Sequence, residues 1–204
     1  MTEQAAAAQR RALLTRRVRL LVGATIGYNV IEAVVALSAG AAASSTALIG
    51  FGLDSMIEVA SASAVAWQFC GRNPQDRERT ALRIIALSFF ALAAYVTVES
   101  VRALLGERQA APSTVGIVLA AVSLVVMPAL SYAQRQTGRE LGSASAVADS
   151  KQTLLCAYLS GVLLVGLVLN GLFGWSWADP LAALVIAAVA VREGREAWRG
   201  EHCC

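Results

Sequence analysis

Ser45-Thr-Ala-Leu-Ile-Gly-Phe-Gly-Leu-Asp-Ser-Met-Ile-Glu-Val-Ala60 begins an apolar run that continues to Phe69 and carries two carboxylates, Asp54 and Glu58, in its interior. The run is long enough to cross a bilayer, whose hydrocarbon core of about 30 Å takes roughly 20 helical residues. A helix lets a single segment satisfy its own backbone polar groups in lipid. In that conformation Asp54 and Glu58 stand at i and i+4, on one face. An acid at such depth costs about 2.5 to 3.5 kcal/mol on insertion scales, so a pair of them demands a partner or a function.

The pattern repeats on both sides of this segment. Apolar stretches over approximately 18–39, 46–69, 82–105, 114–133, 147–173 and 180–198 predict an all-α polytopic membrane protein with six transmembrane helices. Residues 1–17 read as a basic cytoplasmic arm and 200–204 as a short tail. With 57% hydrophobic and 15% charged residues in a chain of 204, six spans leave no room for a sizeable soluble domain. Pro128, after Met127, removes an amide donor within the fourth stretch and predicts a kink unless neighbours satisfy the freed carbonyl. Gly23 and Gly27 form a GxxxG in the first, a pattern that lets helices approach closely in lipid. The polar stretch from Gln134 to Ser145 reads as a linker.

Charge predicts the orientation. Fifteen of the 17 Lys and Arg residues fall in the amino-terminal arm, between spans two and three, between Arg135 and Lys151, and at the carboxyl end; only Arg102 and Arg108 fall on the other side. The positive-inside rule then places both termini in the cytoplasm, and a bacterial-type plasma (inner) membrane is the expected location. Trp175 and Trp177, beside Asp179, suit the aromatic belt of the opposite interface. The net charge of +3 sits at helix ends rather than on one face, so no nucleic-acid partner is expected. The stretch from Leu20 is too long for a signal peptide and carries Glu32, so it reads as a permanent first helix. Cys70, Cys156, Cys203 and Cys204 form neither a disulfide framework nor a zinc-ribbon spacing.

Two neighbouring acids in lipid are relieved by a divalent cation that bridges them or by a proton on one of them. A protein that alternates between these states exchanges metal for protons. In the fifth stretch, Asp149, Gln152 and Cys156 recur at i, i+3 and i+7, one helical face. The second and fifth spans run in opposite directions, so packing them together brings Asp54 toward Cys156 and Glu58 toward Gln152. Two carboxylates, an amide oxygen and a thiol make a mixed hard and soft donor set compatible with a transition metal. Asp149 either caps the fifth helix or meets the ion at the entrance. Glu32 is expected to carry protons or to support the ligands from behind. The competing reading is a non-transporting membrane interaction protein whose buried polar residues only specify helix packing. Asp179 before Pro180 is expected to cap span six, and Glu99 with Arg102 to form an interfacial pair. The tail Glu201-His-Cys-Cys204 either binds metal, carries acyl chains or is disordered.

The segment from Ser45 to Glu58 resembles the second span of the cation diffusion facilitators, and Ala148-Asp149 followed by Gln152 and Cys156 resembles their fifth. Glu32 after Asn29, Glu99, and Trp177-Ala-Asp-Pro-Leu-Ala182 also match that family's habits, in the right order over residues 18 to 199. The family usually has His or Asp and then Asp where this chain has Gln152 and Cys156, and its only histidine is His202. The resemblance implies a short, membrane-only branch without the family's cytoplasmic carboxyl-terminal domain. It further implies a homodimer that exports zinc or a similar divalent ion, with the transported ion as cargo and no resident cofactor. No ATP-binding loop and no activated nucleophile is legible, so an enzyme is not expected.

Overall fold

The computed structural model describes residues 2–69, 74–106, 110–142 and 144–199. Arg72, Arg108, Cys70 and the tail from Glu201 to Cys204 lie outside them. Among the described residues there are six α-helices and no strand: α1 (Thr2–Ala43), α2 (Thr46–Phe69), α3 (Pro74–Leu104), α4 (Thr114–Leu141), α5 (Ala144–Phe173) and α6 (Ala178–Arg199). The protein is all-α and polytopic. Helices α1, α4 and α5 each contain a stretch long and apolar enough to cross a membrane.

The helices overrun several of the expected spans, because a helix need not end where the bilayer does. Helix α1 continues back through the alanine- and arginine-rich arm, whose residues are good helix formers. Near its start, Arg10 approaches Glu140 at 3.9 Å. Helix α4 passes through Pro128 and on to Leu141, so most of the stretch read as a linker is helix. The reason is visible in its burial: Gln134, Thr137 and Gly138 continue the buried face of α4 and pack inward despite their polarity. The helix ends at Gly142, whose φ of 68° closes the chain back so that its amide donates to the Arg139 carbonyl at 3.2 Å.

Successive helices alternate in direction. One end of the bundle holds the first turns of α1, Arg139, Lys151 and Arg199; the other holds Ser44, Leu105, Trp175 and Trp177. At the tryptophan end the turns are tied together. The Ala111 amide donates to the Ala43 carbonyl at 2.8 Å, and the Asn170 amide group to the Ala110 carbonyl at 2.9 Å. Trp175 stacks on Trp177 with ring centroids 5.3 Å apart.

Helix α2 lies at the centre, packed against α1, α3, α5 and α6, while α4 pairs with α5 and α3 with α6. Phe51 and Leu48 of α2 meet Met127, Leu163, Leu167, Ile186 and Val96 in one buried cluster. Large apolar side chains such as Leu20, Ile31, Val125 and Leu172 cover the outside, as a lipid-facing surface requires. Close approach is made by glycines other than those of the GxxxG pair. A Cβ on Gly116 would fall 2.8 Å from Leu48 and 2.9 Å from Leu167, and one on Gly166 would fall 2.8 Å from Ala182. Beside Gly23 and Gly27 there is nothing within 4 Å, because that face of α1 looks out of the bundle.

Candidate cation site

Within this apolar bundle the polar side chains fall into layers between α1, α2, α4 and α5. The layer nearer the tryptophan end is centred on Glu32, 1% exposed. Its carboxylate accepts from the Ser55 hydroxyl at 2.8 Å and from the Ser123 hydroxyl. Ser123 has one hydrogen, given to Glu32, so the Tyr28 hydroxyl 2.8 Å away donates to Ser123. Glu32 is therefore the end of a short hydroxyl chain, and helices α1, α2 and α4 are joined through it. The Cys156 thiol on α5 lies 3.9 Å from the same carboxylate.

A second layer lies toward the basic end, centred on Asp149. Its two oxygens accept from Ser61 at 3.5 Å and from the Gln134 amide at 3.2 Å, and Gln134 also donates to Thr25 at 3.0 Å. Asp149 stands in the second turn of α5 and joins α2 and α4 rather than capping its own helix. The carbonyl of Asp149 accepts from the Thr153 hydroxyl at 3.2 Å, and Ser131 of α4 donates to the Ser150 carbonyl at 2.5 Å.

Between these layers Asn29 and Glu58 are not paired among the described residues. Glu58 is 2% exposed, and neither of its oxygens has a hydrogen-bond partner among the described residues. Thr153 and Cys156 stand beside it. The hydrogen of Thr153 is committed to the Asp149 carbonyl, and the thiol approaches Glu32. Asn29, at the same depth on α1, is fully buried with both amide atoms unpartnered. A buried polar group without a partner costs about 1 to 3 kcal/mol, more if charged. Asp54, one turn from Glu58 on α2, is 8% exposed.

Of the residues singled out from sequence, Asp54, Glu58, Asp149 and Cys156 are all buried within the bundle, with Glu32 among them. Gln152 is only half-buried. The inward face of α5 repeats at Asp149, Thr153, Cys156, Ser160, Leu163 and Leu167. Thr153 therefore takes the position between Asp149 and Cys156, and Gln152 is turned aside by about 100°. No three or more His, Cys, Asp or Glu side chains gather closely enough to hold a metal ion among the described residues. Acids and thiol alone therefore do not make a complete cage in this arrangement.

Sequence reasoning passed over Thr25, Ser55, Ser123, Gln134 and Thr153, and treated Asn29 only as a companion of Glu32. The signal was present in their spacing. Thr25, Asn29, Glu32 and Ala36 recur on one face of α1, and Ser123, Met127, Ser131 and Gln134 on one face of α4. Asp179 corrects another expectation. It lies in the first turn of α6, but its carboxylate accepts from Ser45 and, at 3.3 Å, from the Ala47 amide. It caps the start of α2 across the bundle and so fixes the height of Asp54 and Glu58. Glu99 and Arg102 pair at 3.1 Å as expected.

The sequence profile described as the cation efflux transmembrane domain matches residues 22–199. The chain is also similar to an uncharacterised transporter of the cyanobacterium Synechocystis. The two are 26% identical over 176 residues, covering 81% of this chain and 55% of that protein, so the chain spans about half the length of this relative.

Proposed function

Because the chain belongs to the cation efflux family, a family of membrane cation transporters, we propose that it exports a divalent transition-metal ion, zinc or one like it, in exchange for protons. The observation that supports this reading above the others is Glu58: a carboxyl buried in the bundle, with Thr153 and Cys156 beside it, whose oxygens have no hydrogen-bond partner among the described residues. A residue retained only to specify helix packing would be hydrogen-bonded, as Glu32 is by Ser55 and Ser123. An acid held without donors is relieved by a cation in one state and by a proton in the other.

In this account Asp54 and Glu58 bind the ion, Cys156 adds a soft donor, and Asp149 receives it on the way in from the basic end. Gln152, half-buried on α5, joins the ligands only if α5 turns about its axis as the ion arrives. Glu32, at the end of the Tyr28–Ser123 hydroxyl chain, carries protons. A homodimer with both termini in the cytoplasm of a plasma membrane agrees with the family and with the distribution of Lys and Arg. Orientation is read by labelling introduced cysteines in a Cys-free background. Ser44→Cys is expected to react from outside intact cells and Gln136→Cys only after permeabilisation; the reverse pattern would invert the topology.

The function itself is tested in sealed proteoliposomes with a pH dye inside, across zinc, cadmium, cobalt, iron and manganese. Metal flux is expected to be matched by proton movement in the opposite direction, and flux with no proton response would remove the exchange. In the same assay Glu32→Gln keeps the volume and hydrogen-bonding capacity of the side chain but cannot titrate. It is expected to transport with a flattened dependence on pH, whereas an unchanged profile would return Glu32 to a purely structural role.

A further inference from the structure

We infer that Asn29 of α1 is a ligand of the transported cation, contributing a neutral amide oxygen to the place where Glu58 and Cys156 lie. This rests on the cation-transport reading above and adds to it a donor from a helix not yet given a part in binding.

The register of α1 against α2 carries the inference. These helices are antiparallel, and the 2.8 Å hydrogen bond from Ser55 to Glu32 fixes their relative height. Three residues toward the basic end on each helix is the same step of about 4.5 Å. That step leads from Glu32 to Asn29 and from Ser55 to Glu58. It also turns each helix by about 300°, so both side chains stay within about 60° of the faces that already meet. A further turn on each reaches Thr25 and Ser61, both bound into the Asp149 layer through Gln134 and Asp149. Asn29 and Glu58 thus stand at the same height between two layers whose hydrogen bonds are made.

Each is unpartnered on its own account. Asn29 is 0% exposed, and among the described residues its Oδ1 and Nδ2 both lack a hydrogen-bond partner, as do Oε1 and Oε2 of Glu58. An amide buried without partners in an apolar bundle is costly and is not needed for packing, since leucine has nearly the same shape and no polar atoms to strand. The acids and thiol here do not form a group of three. An amide oxygen supplies a further donor without adding another negative charge to the site. It is also a hard oxygen donor, which widens the range of divalent ions accepted beyond those that favour the thiol.

The test titrates zinc and manganese ions into the detergent-purified full chain by calorimetry, with thermal melts in parallel, for the wild type, Asn29→Leu and Asn29→Asp. Asn29→Leu is expected to weaken zinc binding by about 10- to 100-fold, with a melting temperature unchanged or raised. Asn29→Asp, which puts a charged oxygen in the same place, is expected to bind both ions more tightly than the wild type. If the wild type binds and both variants match it, Asn29 is not a ligand and only this inference fails. Should Asn29→Leu not fold, Asn29→Asp decides: tighter binding sustains the assignment and unchanged binding overturns it. If the wild type binds neither ion saturably, the transport reading fails and this inference with it.

Discussion

Neutralising both acids of α2, in Asp54→Asn combined with Glu58→Gln, is expected to reduce metal flux to the level of empty vesicles while the protein still inserts and folds. The two effects have one cause. Neither Glu58 oxygen has a hydrogen-bond partner among the described residues, so its amide variant gives up chiefly charge and the capacity to bind a cation or a proton. Each acid weighs on insertion by about 2.5 to 3.5 kcal/mol, and removing an uncompensated buried charge relieves rather than weakens the fold. The melting temperature of the metal-free protein should therefore stay constant or rise. Each single variant is expected to lose most of the flux, because one carboxylate cannot replace the bridging pair. Loss of flux with a collapsed melting temperature would instead mean that the acids hold the bundle together.

Cys156→Ser is expected to divide the metals rather than abolish transport. The thiol is 1% exposed, 3.9 Å from Glu32 and beside Glu58, so it faces the acids and not the lipid. A hydroxyl is smaller, harder and a poorer donor to soft ions than a thiolate. Zinc and cadmium flux should fall at least as far as the range of about 10- to 100-fold seen when a group supporting a metal ligand is removed, and manganese should change little. Parallel proteoliposome assays at equal reconstitution density make the comparison. An equal fall for every metal would assign the thiol to packing against Leu159 and Leu163 rather than to the ion.

What could be read from the sequence, and what could not, follows from the length scale of each signal. Six helices are legible because apolar runs of bilayer length are rare by chance, and the acids within them stand out against that background. The i,i+4 spacing of Asp54 and Glu58 fixes their shared face without knowledge of any other helix. Rotation of α5 is different. Gln152 and Thr153 are adjacent in sequence, and which one turns inward depends on the packing of α5 against α4, including the contact from Ser131 to the Ser150 carbonyl. Polarity alone favours Gln152, but the bundle buries Thr153. The same holds for the stretch after Gln134, which looks like a linker because it is polar. In the fold it is the last buried part of α4, and its polarity is what pairs it with Asp149 and Thr25. Asp179 is legible as a cap but not as the cap of a distant helix, since its partners Ser45 and Ala47 lie more than a hundred residues away. Asn29 could be found only by combining two registers, that of α1 against α2 and that of the layers above and below.

The central claim is that a cation and protons compete for the same buried acids. It is tested most directly by titrating zinc into the purified wild type and the Asp54→Asn/Glu58→Gln variant in several buffers of different ionisation enthalpy, which counts the protons released per ion bound. The account predicts saturable binding to the wild type with proton release that diminishes as the pH is raised, and no binding to the variant. Binding of undiminished affinity by the variant, or binding to the wild type with no proton released at any pH, would contradict it.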